Sequence, residues 1–390
     1  MRRFFIGFTA VFLTACASSP IQTMPLKQAV QFGSDLYYTT PNYAFDSTTR
    51  IEEVRLDAPE SSELQSFGEA ANRLIRRLSF DISGVIDTPN KLYQMTPTYH
   101  YKAKNMQASL SIPMVYDANQ QSFLADLSAF DVFLSKAEHV DKYSRFDVGS
   151  YGVNDKGEKL IGIIQKYTRK NYEDMDNAVF SELPLTSEDR RMNVVRKIQV
   201  SDSLKKEALY STDMMKEIFK IMRPTSNNEV LESDEVRPAE LAPSITDEFR
   251  ADEYEAARDK ASEWLDPNSR HTSVLSFDRQ GRIVQSQLLF DVGFNAPKKE
   301  ESSANAGKGM HMKMSSTFNM TSIGQAKLVN PPTRDNTVDG FENLKGSLAG
   351  KMFGKLFAPK KHGDDEEAEI DAEAVNEADD IKPMPKSKRR

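Results

Sequence analysis

Cysteine and tryptophan are almost absent from this sequence, with one residue of each among 390. A chain with a single thiol cannot build an internal disulfide scaffold. The five histidines form no HExxH motif and no pair at metal-ligand spacing, and no GxSxG nucleophile motif is present. The sequence therefore predicts a protein that is not an enzyme and that needs no metal or other cofactor.

The sequence has no excess of basic residues: it contains 58 Asp and Glu and 51 Lys and Arg. This balance argues against a nucleic-acid partner. Much of the acidic excess lies in residues 364–380, which hold ten carboxylates and no basic side chain. A block of like charges repels itself and cannot bury a core, so we predict a disordered acidic tail over residues 359–390.

The longest apolar run of the N-terminal region extends from Phe4 to Leu13 and follows a basic pair, Arg2 and Arg3. A short positive region, an apolar stretch and a small-residue ending are typical of a secretory signal, and this stretch is too short to remain as a membrane span. We therefore predict a signal peptide over residues 1–15. If this is a plain signal, Cys16 is there by chance.

The ending Leu13-Thr14-Ala15-Cys16 resembles the lipobox of bacterial lipoproteins. In that family the signal is cut before the cysteine, which then receives a diacylglyceryl group and an N-terminal acyl chain. The resemblance implies a mature chain that begins at lipidated Cys16 and is followed by a tether over residues 16–28. Since Ala17 comes next, it also implies an outer-membrane anchor, with the protein facing the periplasm.

Alternating polar and apolar residues dominate the rest of the chain, and such alternation predicts strands with one wet and one dry face. We therefore expect an α+β fold: a curved, mostly antiparallel sheet, open like a half-barrel and covered by helices, over residues 29–335. Helical spacing over about residues 155–265 predicts a helical insert in that domain, with one helix starting at Thr186 and another over residues 252–265. The stretch VLSFDRQGRIVQSQLLFDVGF predicts a hairpin around Arg279-Gln280-Gly281.

The most unusual strand is MHMKMSSTFNMTS, which places methionines and one phenylalanine on a single face. Methionine is flexible and polarizable, so it suits a surface that adapts to varied apolar partners. An ordinary packed sheet core is the alternative. The candidate ligand-lining residues are Met310, Met312, Met314, Phe318, Met320, Val284, Leu288, Phe290, Met106, Leu110 and Met114.

The strand set ending in MHMKMSSTFNMTSIGQAKLVNPP, with its Pro-Pro exit, resembles the LolA/LolB and LppX-type half-barrel lipoproteins over residues 50–135 and 270–332. That resemblance implies an open sheet that shelters lipid or acyl chains. The helical insert and the acidic tail have no counterpart in that family.

A second unusual stretch is FENLKGSLAGKMFGKLF, where glycines recur at Gly346, Gly350 and Gly354 beside an apolar stripe. We predict an amphipathic helix over residues 336–358. It is expected either to dock on its own domain or to lie on a membrane surface.

Together these patterns predict a lipoprotein of the cell envelope that binds lipid or another apolar ligand, or assists lipid or lipoprotein trafficking. The expected partners are the membrane through Cys16, acyl chains, and envelope proteins. The alternative is a non-catalytic structural adaptor that presents its acidic tail or its central helices to envelope partners.

Overall fold

The computed structural model describes residues 19–56, 63–134, 139, 141–147, 154–222, 263–295 and 309–348. The predicted signal peptide, the predicted lipidation site Cys16, the predicted acidic tail and residues 349–358 lie outside these ranges. The described chain forms an α+β fold in which one large, mostly antiparallel sheet is combined with helices.

The helices are α1 (Pro20–Thr23), α2 (Leu26–Thr39), α3 (Glu63–Ile75), α4 (Asp131–Leu134), α5 (Asn154–Asp174), α6 (Ser187–Arg191), α7 (Leu204–Met222) and α8 (Gly340–Gly346). The strands are β1 (Asn42–Leu56), β2 (Leu78–Asp87), β3 (Leu92–Ala103), β4 (Met106–Ser111), β5 (Met114–Asp117), β6 (Ser122–Asp126), β7 (Tyr143–Asp147), β8 (Phe180–Glu182), β9 (Arg196–Ser203), β10 (Arg270–Phe277), β11 (Ile283–Phe294), β12 (Met310–Thr321) and β13 (Thr337–Asp339).

The strand order is β13-β7-β6-β5-β3-β2-β1-β12-β11-β10-β9-β8, and β4 pairs with β3 beside β5. Every pairing is antiparallel except that of β13 with β7. The two ends of the order, β13 and β8, do not pair with each other, so the sheet is open. The predicted fold class, α+β with an open and mostly antiparallel sheet, is confirmed.

Two hydrophobic cores lie on opposite faces of this sheet. The larger one packs α1, α2 and the end of α5 on β8 to β11, and its fully buried members include Ile21, Val30, Ile198 and Phe277. The smaller one lies on the other face at β5 to β7, where Val115, Leu124 and Tyr143 meet Leu328 of the segment after β12. A sheet with alternating strands can support both, because successive side chains point to opposite faces.

The chain is docked from Ser19 onward, which differs from the predicted tether over residues 16–28. Ile21 is only 1% exposed. The buried guanidinium of Arg196 donates hydrogen bonds to the carbonyl oxygens of Ile21 and Met24, each at 2.6 Å. The physical reason is that Ile21 fills the larger core, and the carbonyls beside it satisfy a buried cation.

The predicted helical insert over residues 155–265 is interrupted by two strands, β8 and β9. The helix start at Thr186 is present as predicted, since Thr186 and Asp189 form a capping box. Soon after that helix, Ile198 and Val200 of β9 alternate with polar residues and pair with β10 and β8. Val194, just before β9, is also buried. Arg196 and Lys197 obscure this alternation in the sequence. The helix expected over residues 252–265 falls almost wholly outside the described residues.

Of the amphipathic helix predicted over residues 336–358, the structure describes residues 336–348. Thr337–Asp339 pairs as β13, Asp339 caps α8, and the helix ends at Ser347 in an extended conformation. Helix α8 docks on its own domain: Asn343 and Ser347 are buried, and Phe341 packs edge-on against Phe146 at 5.3 Å. For the described part, the docked alternative therefore holds.

Candidate functional site

The predicted methionine stripe lies on one face of β12, near the middle of the sheet. We call the side that carries it the apolar face and the opposite side the polar face. Its side chains continue across the neighbouring strands, because paired residues of antiparallel strands share a face. The three apolar rows are Ile51–Met314–Phe290, Val54–Met312–Val292 and Leu56–Met310–Phe294.

One end of this stripe is packed. Met320 is 4% exposed. Phe318 stacks on Phe45 at 5.8 Å, and Tyr37 of α2 covers it edge-on at 5.7 Å. Burial raises the pKa of Tyr37, and the nearby Tyr38 adds to the shift. At this end the alternative of an ordinary sheet core is the one observed.

The other end of the stripe is half-open. Met310, Met312 and Met314 are all half-buried, although they lie on the same face of the same strand as Met320. Phe294, beside Met310, is 36% exposed. Phe318 is half-buried as well, so the stripe closes fully only at Met320 and otherwise forms a partly accessible apolar surface.

The accessible surface extends to β2, β3 and β4. Thr49, Phe80, Tyr99 and Leu110 form one row across β1 to β4 on the apolar face. The Phe80 and Tyr99 rings contact at 4.8 Å. Four large side chains of this face are more than a third exposed: Leu78, Met95, Tyr99 and Met106.

The remaining candidate residues spread over this same face rather than forming one pocket. Met106 and Leu110 on β4 lie four strands from β12, which is about 19 Å at an inter-strand spacing of about 4.8 Å. Met114 of β5 pairs with Met95. Leu288 of β11 pairs with Ser316 of β12. Val284 of β11 has no partner on β10, because the register of that pair shifts there. The candidates thus mark a broad apolar surface.

The sequence prediction missed two contributors to this surface and one polar group beside it. Met95 and Tyr99 belong to β3, whose alternation is interrupted by Pro97. His271 lies on the apolar face, stacks on Phe290 at 4.9 Å and contacts Glu207 of α7 at 3.0 Å. Its spacing from Leu275 and Phe277 on β10 is the signal that places it on this face.

The polar face of the same strands carries charged pairs. His311 contacts Asp291 at 2.5 Å, Lys313 lies 3.4 Å from the same carboxylate, and His100 contacts Asp81 at 2.9 Å. Within the described ranges, no group of three His, Cys, Asp or Glu residues is arranged to hold a metal ion. Among the helices in those ranges, none combines the length and the hydropathy needed to cross a membrane.

A cleft of about 710 Å³ opens on the polar face at β5 to β7. The segment after β12 crosses the sheet there and forms the other wall. Gln94 holds that segment through two hydrogen bonds with the backbone of Val329, at 2.6 and 2.7 Å. The cleft therefore has one wall on the sheet and one on a fixed crossing segment.

Comparison with known proteins finds little likeness. No protein-family model matches the chain, and no curated protein matches it. A solved structure, described as a porin-like protein from Bacteroides uniformis, is similar at 11% identity, with 72% of this chain and 98% of that chain covered. Its TM-score is 0.19, so this likeness supports no statement about function.

Proposed function

We propose that this protein binds acyl chains or similar apolar ligands on the apolar face of its sheet, as a lipid-anchored protein of the cell envelope. The observation that carries the proposal is the change in exposure along β12, where Met310, Met312 and Met314 are half-buried while Met320 is closed. A stripe built only as a core would be closed along its length.

Methionine at the open end fits a surface for ligands of variable shape. Its unbranched side chain adapts to different apolar partners, and its thioether packs well against aromatic rings. Acyl methylenes gain about 0.8 kcal/mol each when they leave water. The exposed Tyr99 and Met106 extend the surface, so that a long chain has apolar contact along its length.

The envelope location rests on the N-terminal sequence. Leu13-Thr14-Ala15-Cys16 resembles a lipobox, and several acyl chains on Cys16 give stable anchoring where one chain would not. We propose an outer-membrane anchor and a periplasm-facing domain. In this arrangement the protein takes part in lipid or lipoprotein trafficking without catalysing a reaction.

A fluorescent fatty acid tests the binding proposal. We expect saturable binding to the protein lacking residues 1–15 with Cys16 replaced by serine, and several-fold weaker binding to Met312→Ala/Met314→Ala. Leu289→Ala is the matched control, because Leu289 is an exposed apolar residue of β11 whose register places it on the polar face. Native mass spectrometry of the purified protein should also detect co-purified lipid.

If the parent protein shows no saturable binding, the lipid proposal is wrong. The structural adaptor then becomes the better hypothesis, with the central helices or the acidic tail as its contact surface. Equal binding by the double variant and the parent would place the ligand away from the methionine stripe.

A further inference from the structure

We infer that the cleft on the polar face is a second binding site, for a small amphipathic organic anion whose oxyanion head contacts Arg145. This inference does not rest on the proposed function, since the cleft and the methionine stripe lie on opposite faces of the sheet. The arrangement is an apolar floor beside Arg145, and Arg334 of the segment after β12 also lines the cleft.

The floor comes from the smaller core. Val115 and Leu124 are 2% and 8% exposed and line the cleft, and Leu328 of the crossing segment closes it from the other side. Pro331 and Pro332 continue that wall and have no backbone N–H to offer a ligand. With about 710 Å³ of space, the cleft matches the usual size of a small-molecule site.

Arg145 supplies the charge. It faces Leu124 in the register of β6 with β7, and it lines the cleft half-buried. Within the described part of the chain, its guanidinium has no ion pair and no side-chain hydrogen bond. Arg196, a buried arginine of the same sheet, shows the usual outcome, because its guanidinium contacts two carbonyls and Glu182.

The carboxylates that also line the cleft each have a partner of their own. Asp117 accepts hydrogen bonds from the backbone amides of Asn119 and Gln120. Asp339 of β13 pairs with Arg145 of β7. Its side chain accepts a hydrogen bond from the backbone amide of Glu342 and thereby caps α8. Asp147 is also partnered.

An oxyanion satisfies Arg145 best. The planar guanidinium presents five N–H donors in a fork that matches carboxylate and phosphate geometry. An apolar body attached to that head would lie against Val115, Leu124 and Leu328. The predicted ligand class is therefore a short-chain organic acid or organic phosphate, and not a bare inorganic anion.

Titration calorimetry with octanoate, octyl phosphate and 1-octanol tests this inference. We expect both anions to bind saturably and octanol to bind at least about tenfold more weakly, because a charge-assisted hydrogen bond is lost. The stronger of the two anions identifies the head group. Arg145→Gln should weaken anion binding by about tenfold or more, whereas Arg50→Gln, an exposed arginine of the polar face on β1, should not.

Titrations of two further variants complete the test. Leu328→Trp fills the cleft and should abolish binding of both anions, which decides the matter if Arg145→Gln does not fold. Repeating the titrations in Met312→Ala/Met314→Ala protein removes any contribution from the apolar face. Equal affinity for octanol and octanoate, or unchanged octanoate binding in a folded Arg145→Gln, would overturn the inference.

Discussion

At the scale of single residues, the same side chain takes two roles along β12. Met320 is closed in a core, and Met312 and Met314 are half-buried on the same face. The alternation that assigns the face was predictable from the sequence, because a strand repeats every two residues. The change in exposure was not, since it depends on where α2 lies on the sheet.

This difference predicts unequal costs for one substitution at two positions. Met320→Ala should lower the free energy of unfolding by about 2–4 kcal/mol, through lost transfer energy and a residual cavity. Met312→Ala should cost less than about 1 kcal/mol, because fewer atoms pack on that side chain. Urea denaturation of both variants measures the two values. Equal costs would mean that the open end is as closely packed as the other.

At the scale of elements, β12 and the β10–β11 hairpin were predicted, whereas β1, β3 and β9 were not. The hairpin has an unmistakable turn at Gly281, with a φ of 84°. In β1 the apolar-face residues after Phe45 include Ser47 and Thr49, so the hydrophobic alternation fades. Pro97 interrupts the alternation of β3, yet it lies opposite Ile82 in a regular ladder. The hydrophobic alternation of a single strand does not predict that strand when its residues are buried by contacts with neighbouring strands.

The short helix α6 offers a test of local capping. The carboxylate of Asp189 accepts hydrogen bonds from the amide and hydroxyl of Thr186, both at 2.8 Å, and contacts Lys197 at 3.1 Å. Burial alone would raise the pKa of Asp189, but these hydrogen bonds and the charge of Lys197 outweigh it, and the pKa is lowered.

Because the folded pKa is lowered, ionised Asp189 stabilises the protein above the unfolded pKa of about 4, and this contribution is lost as the pH falls through the folded value. Asp189→Asn should therefore cost about 1–3 kcal/mol at pH 7. The difference from the parent protein should shrink below about pH 4. Urea denaturation at several pH values measures it, and a difference that stays constant with pH would contradict the assignment.

At the scale of the whole molecule, the open antiparallel sheet was predicted from alternation with one wet face. The second core on the polar face was not predicted, since it needs the segment after β12 to cross the sheet. Ala326 and Leu328 of that segment belong to no regular apolar alternation in the sequence, and only their contacts with the strands make them part of the buried interior. The Arg145 cleft therefore had no sequence signal.

The membrane anchor also belongs to this scale. Cys16→Ser should move the protein from the membrane fraction to the soluble periplasmic fraction, or leave it as an uncleaved precursor, and should abolish labelling with a fatty-acid analogue. Ser18→Ala is the matched control and should leave both unchanged. A Cys16→Ser protein that is processed, labelled and still membrane-bound would contradict the anchor.

The pairing of β1 with β12 joins the earliest strand of the chain to one of the last. Every residue pair of that ladder is separated by more than 250 positions, as in Ala44 with Thr321. The hairpins on either side can form early, but this seam closes only when residues 310–321 have been made and, in a secreted protein, moved across the membrane. Until then β1 has an unpaired edge, which is prone to wrong pairing. The three apolar rows through Met310, Met312 and Met314 cross from β1 to β12. Ligand binding on the apolar face should therefore be among the last properties that the chain acquires. A chain truncated before residue 310 should lack it.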